Sequence, residues 1–185
     1  MSKNIAQFHL ITKNITAIRH IDATEAKGCP MDEIDRRILD ILQKDAAISV
    51  TAIADKVGLS TAPCWRRIKR FEDDGVILRR VALLDRRKVN LPMTVFVSVK
   101  APRHAAEWLQ TFREMIIDIP EIVEAWRLTG EADYLLRIVV PDVETYDAVY
   151  QRMIRRVEFF DISSAIAMEE MKFTTAVPTS YIEIS

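Results

Sequence analysis

The stretch "VGLSTAPCWRRIKRFEDDGVI", residues 57–77, decides how the chain reads. Four of the five residues from Arg66 to Arg70 are basic, and the run sits between a Gly-Leu-Ser turn and an Asp-Asp-Gly stop. Cys64, Ile68 and Phe71 recur at spacings of four and three, the pattern of a helix with one buried stripe. Ser60 or Thr61 is placed to cap this helix, Pro63 is tolerated in its first turn, and Gly75 ends it. With the stripe inward, the opposite face carries Thr61, Ala62, Trp65, Arg66 and Lys69, with Arg67 and Arg70 on the flanks. Glu72, Asp73 and Asp74 cluster at the C-terminal end, where the helix dipole disfavours them, so they leave the leading half cationic.

Upstream, Ile34, Ile38, Leu39, Ile41 and Leu42 predict an amphipathic helix over 32–44, with Asp32, Glu33 and Asp35 in its first turn. Ser49 reads as the cap of a short second helix with Ile53, Ala54 and Val57 inward, stopped by Gly58. Three helices with a tight turn before the third form a helix-turn-helix. On this reading Thr61, Ala62, Trp65 and Arg66 reach base edges of double-stranded DNA from a helix that starts at Ser60. Arg67, Lys69 and Arg70 anchor phosphates. The alternative is a merely solvated helix face, which leaves an exposed Trp65 beside Arg66 without a purpose. "VILRRVALLD" is expected to form a short strand or wing, from which Arg79, Arg80, Arg86 and Arg87 add backbone contacts.

The formal net charge of −1 conceals an uneven distribution. Residues 1–30 carry +2, residues 31–91 carry +3 and residues 92–185 carry −6. A mildly basic segment joined to an acidic one points to two domains with different electrostatic tasks. No apolar run is long enough to span a bilayer. Cys29 and Cys64 have neither disulfide-framework nor metal-ligand spacing, so a reducing cytoplasm is the expected compartment and Cys64 a small buried residue. Residues 1–30 show no sustained period. They read as a flexible extension, or as the result of a start placed ahead of Met31.

The second half, residues 92–178, follows the order β-α-β-β-α-β, a ferredoxin-like α+β arrangement. "MTVFVSVKA" alternates as a strand, and "RHAAEWLQTFREMIID" is a helix with Ala105, Trp108, Leu109, Phe112 and Ile116 on one side. "EIVEAWRLTG" and "DYLLRIVVP" are the middle strands, a helix opened by Asp142 follows, and "ISSAIAMEEMKF" closes the sheet. Phe96, Trp126 and Leu136 are expected on the sheet face that no helix covers, so a second subunit is expected there. Residues 179–185 are left as a tail. In the turn "LTGEADYLL", Gly130 permits an unusual backbone angle, and Asp133 can accept hydrogen bonds from an ammonium or from the backbone.

"MDEIDRRILDILQKDAAIS", "VGLSTAPCWRRIKRFEDDGVI", "LTGEADYLL" and "MKFTTAVP" each resemble, in order and spacing, a segment of the Lrp/AsnC family, the feast/famine transcriptional regulators. The resemblance runs from about Met31 to Pro178. It implies a winged helix-turn-helix joined to a sensing domain that dimerises and often builds tetramers or octamers. It also implies a small amino acid as effector, held between subunits beside the Gly-x-x-Asp turn. Carried onto this chain, that site consists of Thr129, Gly130, Asp133 and Tyr134, joined by Met168 and Glu169. "TAPCWRRIKRFEDDGVILRRVALLD" and "AMEEMKFTT" resemble the branch with a cysteine-responsive regulator, which makes cysteine the first effector to consider. Ala132 and "RRVEFFD" depart from the family pattern. Relatives of this architecture also act as sirohaem decarboxylases, which need His or Arg side chains in a tetrapyrrole pocket. The one histidine of the sensing half, His104, stands at a helix start, and no cofactor, metal site or catalytic set is expected.

Overall fold

The computed structural model describes residues 30–102 and 106–184. The extension before Pro30, with Cys29, lies outside them, as do His104 and Ala105. The described residues divide into two compact units, one of residues 83–171 and one of residues 30–82 with 172–184.

The smaller unit is built on three helices, α1 (Glu33–Lys44), α2 (Val50–Val57) and α3 (Thr61–Asp73). Each starts and stops for a local reason. Asp32 caps α1 by accepting from the Asp35 N–H, and Asp35 returns the bond from the Asp32 N–H, a reciprocal box that closes two open donors. Ser49 caps α2 through the Ala52 N–H, and Gly58 ends it in the left-handed region at φ 76°. Arg37 reaches from α1 to the Lys56 carbonyl at 2.7 Å and satisfies the exposed end of α2. Ser60 precedes α3 in extended conformation but makes no side-chain cap bond. Ile38, Ile53, Cys64 and Phe71 meet in the fully buried centre. Burial also pushes the Cys64 thiol up from its ordinary range, so it stays a neutral packing group.

No strand follows α3 among the described residues before 93. The expected strand or wing over 76–85 is instead irregular chain that exposes Leu78, Val81, Leu83 and Leu84. A strand exists only by pairing, and this segment pairs with no strand among the described residues.

The larger unit carries β1 (Met93–Lys100), α4 (Ala106–Asp118), β2 (Ile122–Arg127), β3 (Tyr134–Val140), α5 (Val143–Arg156) and β4 (Asp161–Ile166). The strands form one antiparallel sheet in the order β2-β3-β1-β4. This is the ferredoxin-like α+β arrangement. Val95, Val97, Val99, Leu136 and Ile138 point to one face and bury against Phe112 and Met115 of α4 and Val149 and Met153 of α5. Trp108 stacks on Phe112 at 4.8 Å, and its indole N–H donates to the Glu158 carbonyl at 2.7 Å. Asp142 caps α5 through the Thr145 N–H, a bond that lowers its carboxyl below the usual range.

Among the described residues no helix covers the opposite face. Phe96 and Trp126 are exposed there, as expected. Leu136 is not. It pairs with Val97 and sits wholly buried under the helices, and its neighbour Leu135, paired with Trp126, takes the open face. Strand side chains alternate, so a displacement of one residue reverses the face.

At the C-terminal end, residues 172–184 group by their contacts with the helical unit. Thr179 is buried, Ile182 packs against the helical core, and Ile184 bridges to Met31. No described helix is long and apolar enough to cross a membrane.

Truncating Phe112 to Ala removes the ring at the centre of the sensing-unit core. It should destabilise that unit by about 3–5 kcal/mol, read as a lower urea midpoint by circular dichroism.

Candidate functional site

The third helix presents the face that its apolar period dictates. Cys64, Ile68 and Phe71 point inward, while Thr61, Ala62, Trp65, Arg66 and Lys69 are exposed. Trp65 keeps 54% of its surface accessible although tryptophan is ordinarily well buried. Lys69 pairs with Asp73 one turn on, at 2.8 Å, an exposed contact of small weight.

Arg67 and Arg70 behave differently from their neighbours. Arg67 donates to Asp35 at 2.6 Å and to Asp32 at 2.7 Å, and Arg70 donates to the other oxygen of Asp35 at 2.7 Å. Asp35 itself is buried. A buried carboxylate is tolerable only when paired and hydrogen-bonded, and here two guanidinium groups and a backbone N–H satisfy it. The hydrogen bond that Arg67 donates to Asp35 outweighs desolvation and holds Arg67 more firmly charged than a free arginine. At Asp32, burial pushes the carboxyl up, but the Asp35 N–H and Arg67 together bring it below its ordinary value. Read from sequence as phosphate anchors, Arg67 and Arg70 thus brace α3 against the start of α1. The acids at 72–74 gave no hint of this, since the partner lies 32 residues upstream of Arg67 and 35 upstream of Arg70. The first-turn acids had been noticed only for the dipole, although an Asp-x-x-Asp spacing at a helix start signals a reciprocal cap.

Between α1 and α3 lies an open groove of about 560 Å³, lined by Arg66, Arg67 and Arg70 on one side and by Asp32 and Asp35 on the other. Arg80, expected in a wing, pairs with Glu72 at 3.1 Å.

The second candidate site is the β2–β3 turn. Gly130 adopts φ 128°, a backbone angle that a side chain would resist, and Thr129 and Glu131 are exposed around it. Asp133 holds the turn to β1: its N–H donates to the Val99 carbonyl at 2.9 Å, and its carboxylate accepts from the Ala101 N–H at 2.8 Å. Tyr134 is not at the surface of this turn. Its ring is 7% exposed and lies 4.7 Å from Phe112, within the core.

Met168 and Glu169 are exposed, but at the other end of the sheet. Asp133 is bonded beside Ala101, whereas Ala167 is bonded to Thr94. Seven residues of strand separate these anchors, roughly 23 Å at the usual rise. One chain therefore does not bring together the two halves of the expected effector set. Among the described residues no group of His, Cys, Asp and Glu is arranged to hold a metal.

Comparison with known proteins matches both units. Residues 31–77 fit a family model described as winged helix-turn-helix DNA-binding, and residues 94–177 fit one described as the Lrp/AsnC ligand binding domain. The chain is 44% identical over 149 residues to the DNA-binding transcriptional activator DecR of Escherichia coli, which covers 80% of this chain and 98% of DecR. A crystal structure of an AsnC family transcriptional regulator from Agrobacterium tumefaciens is 56% identical, with a TM-score of 0.80, covering 83% of this chain and all of that one. A transcriptional regulator from Neisseria meningitidis, solved as a complex with L-Met, is 31% identical with a TM-score of 0.78, covering 81% of this chain and 97% of its own.

Replacing Asp35 by Asn keeps the shape and removes the charge that gathers Arg67 and Arg70. It should lower the stability of the helical unit by about 1–3 kcal/mol in thermal or urea unfolding. Arg66→Ala should leave stability unchanged by the same measurement.

Proposed function

The chain belongs to the Lrp/AsnC family of DNA-binding transcriptional regulators, and we propose that it reads duplex DNA as a homo-oligomer controlled by a small amino acid bound between subunits. It is a regulator and not an enzyme, and the sirohaem decarboxylase reading falls away because its relatives are named as regulators.

The observation that carries the DNA reading is the exposed edge of α3. Trp65 and Arg66, flanked by Thr61 and Ala62, stand outward on a helix that an internal ion-pair cluster holds in place. Side chains fixed on a rigid helix reach base edges without losing the entropy of ordering the helix itself. Arg66 and Trp65 are therefore the base-reading pair, Lys69 is the phosphate contact, and Ser60 at the helix start donates to the backbone. Arg67 and Arg70 add positive potential while bracing the helix. A dimer presents two such helices to successive major-groove turns, about 34 Å apart.

The open sheet face supports self-association. Phe96, Leu135 and Trp126 form its apolar part, and Arg137 pairs with Glu124 in its middle at 2.6 Å. A second copy is the occupant that also resolves the split effector set. Thr129, Gly130 and Asp133 from one subunit meet Met168 and Glu169 from another, an arrangement that one chain cannot supply. Cysteine is the first effector to test, on the likeness to the cysteine-responsive branch. The L-Met complex of the Neisseria relative supports a small amino acid in a domain of this fold. Higher assembly, to tetramer or octamer, follows the family pattern.

Binding to a duplex selected from a randomised pool, followed by fluorescence anisotropy across a salt series, tests the first part. Arg66→Ala should cost about 1–3 kcal/mol and relax sequence preference, whereas Lys69→Ala should weaken all sequences alike and flatten the salt slope by about one. Affinity unchanged in both variants would overturn the assignment.

Trp126→Glu places a charge on the sheet face and should yield monomers by light scattering. In a thermal-shift screen of the amino acids, the parent should gain melting temperature with its effector, and the monomeric variant should not.

A further inference from the structure

The chain leaves the sensing unit and ends on the DNA-binding unit. The last bond to the sheet is the Ala167 N–H to the Thr94 carbonyl, followed by a 3.6 Å pair between Glu170 and Arg86. From there to residue 176 the chain is exposed, with Met168 at 95%. It is then taken up by the outer side of α1. The Gln43 amide both donates to the Val177 carbonyl at 3.2 Å and accepts from its N–H at 2.7 Å, as a neighbouring strand would. The Thr179 hydroxyl donates to Asp40 at 2.6 Å, and Ile182 rests on the helical core.

Helix α1 therefore holds two things at once. Its first turn, through Asp32 and Asp35, grips Arg67 and Arg70 of the recognition helix. Its last turns, through Asp40 and Gln43, grip the strap. Twelve residues of continuous helix join the two grips. The strap in turn carries Met168 and Glu169, which belong to the effector set proposed above.

We propose that residues 168–184 are the line by which the amino-acid effector acts on the recognition helix, with Gln43 and Asp40 as the positioning residues that couple strap to α1. This rests on the effector reading of the preceding section. The strap is held by two exposed hydrogen bonds with Gln43, a part-buried one from Thr179 to Asp40, Ile182 on the helical core and the Ile184–Met31 bridge, contacts few enough to dock or release without unfolding the unit. An effector that binds Met168 and Glu169 in one of those two states shifts the balance between them, and the shift reaches Arg67 and Arg70 through α1.

The test uses the full chain and the selected duplex, with L-cysteine, L-methionine and L-leucine as probes. In the double variant Gln43→Ala, Asp40→Ala, helix content and effector binding by calorimetry should be retained, while duplex affinity without amino acid takes the value of the undocked strap. The effector-induced change in duplex affinity, at least about fivefold in the parent, should fall below about twofold. Thr179→Val, which alters nothing on α1, should reduce the response in the same direction. A response kept in full overturns the proposal, as does loss of duplex binding together with helix content, since the strap would then be only part of the fold. Hydrogen exchange gives a readout independent of any effector: by reciprocity, duplex alone should alter protection of residues 177–184. Unaltered exchange there overturns the strap's role even if an amino acid proves active. Altered exchange with no active amino acid keeps the strap and faults the effector reading alone.

Discussion

A buried carboxylate, Asp35, is the constraint on which the DNA-facing unit depends. It closes the capping box of its own helix and receives guanidinium groups from Arg67 and Arg70 of α3. An unpaired charge in that place would cost several kcal/mol, so the start of α1 and the length of α3 are held as one body. The consequence is a division of labour among four neighbouring cations. Two are turned inward to fix the helix, and Arg66 and Lys69, beside Trp65, are left facing out.

The sensing unit is organised by apolar burial instead of charge. Two helices and one sheet face enclose a dense core around Phe112, Met115, Val97 and Leu136, with Trp108 and Tyr134 closing its aromatic end. The other sheet face has no such cover among the described residues. The turn around Gly130 and the residues after β4 stand at opposite ends of the same sheet.

Much of this was legible in the residues, for identifiable reasons. The three helices of the DNA-binding unit announced themselves through apolar spacing and through Ser49, Gly58 and Gly75, all local signals. The order of strands and helices in the second unit was likewise readable from periods of two and 3.6. Residues 78–84 are apolar enough for a strand, but a strand forms only where a partner strand pairs with it, and none does so among the described residues. Leu136 was placed on the wrong face by a one-residue parity error, and the ring of Tyr134 completes the core. The C-terminal strap had no periodic signature at all. It is held by a glutamine amide imitating main chain, which any exposed glutamine could do.

By itself, then, the amino-acid order determined the elements, their caps, the cationic face of α3 and the family to which the chain is similar, since each of these depends on residues a few positions apart. The tertiary structure alone decided which arginines pair with Asp35, which face of the sheet lies open, and where the last residues go. Those outcomes depend on partners 32 to 139 positions away, brought together by burial, and no local pattern encodes them.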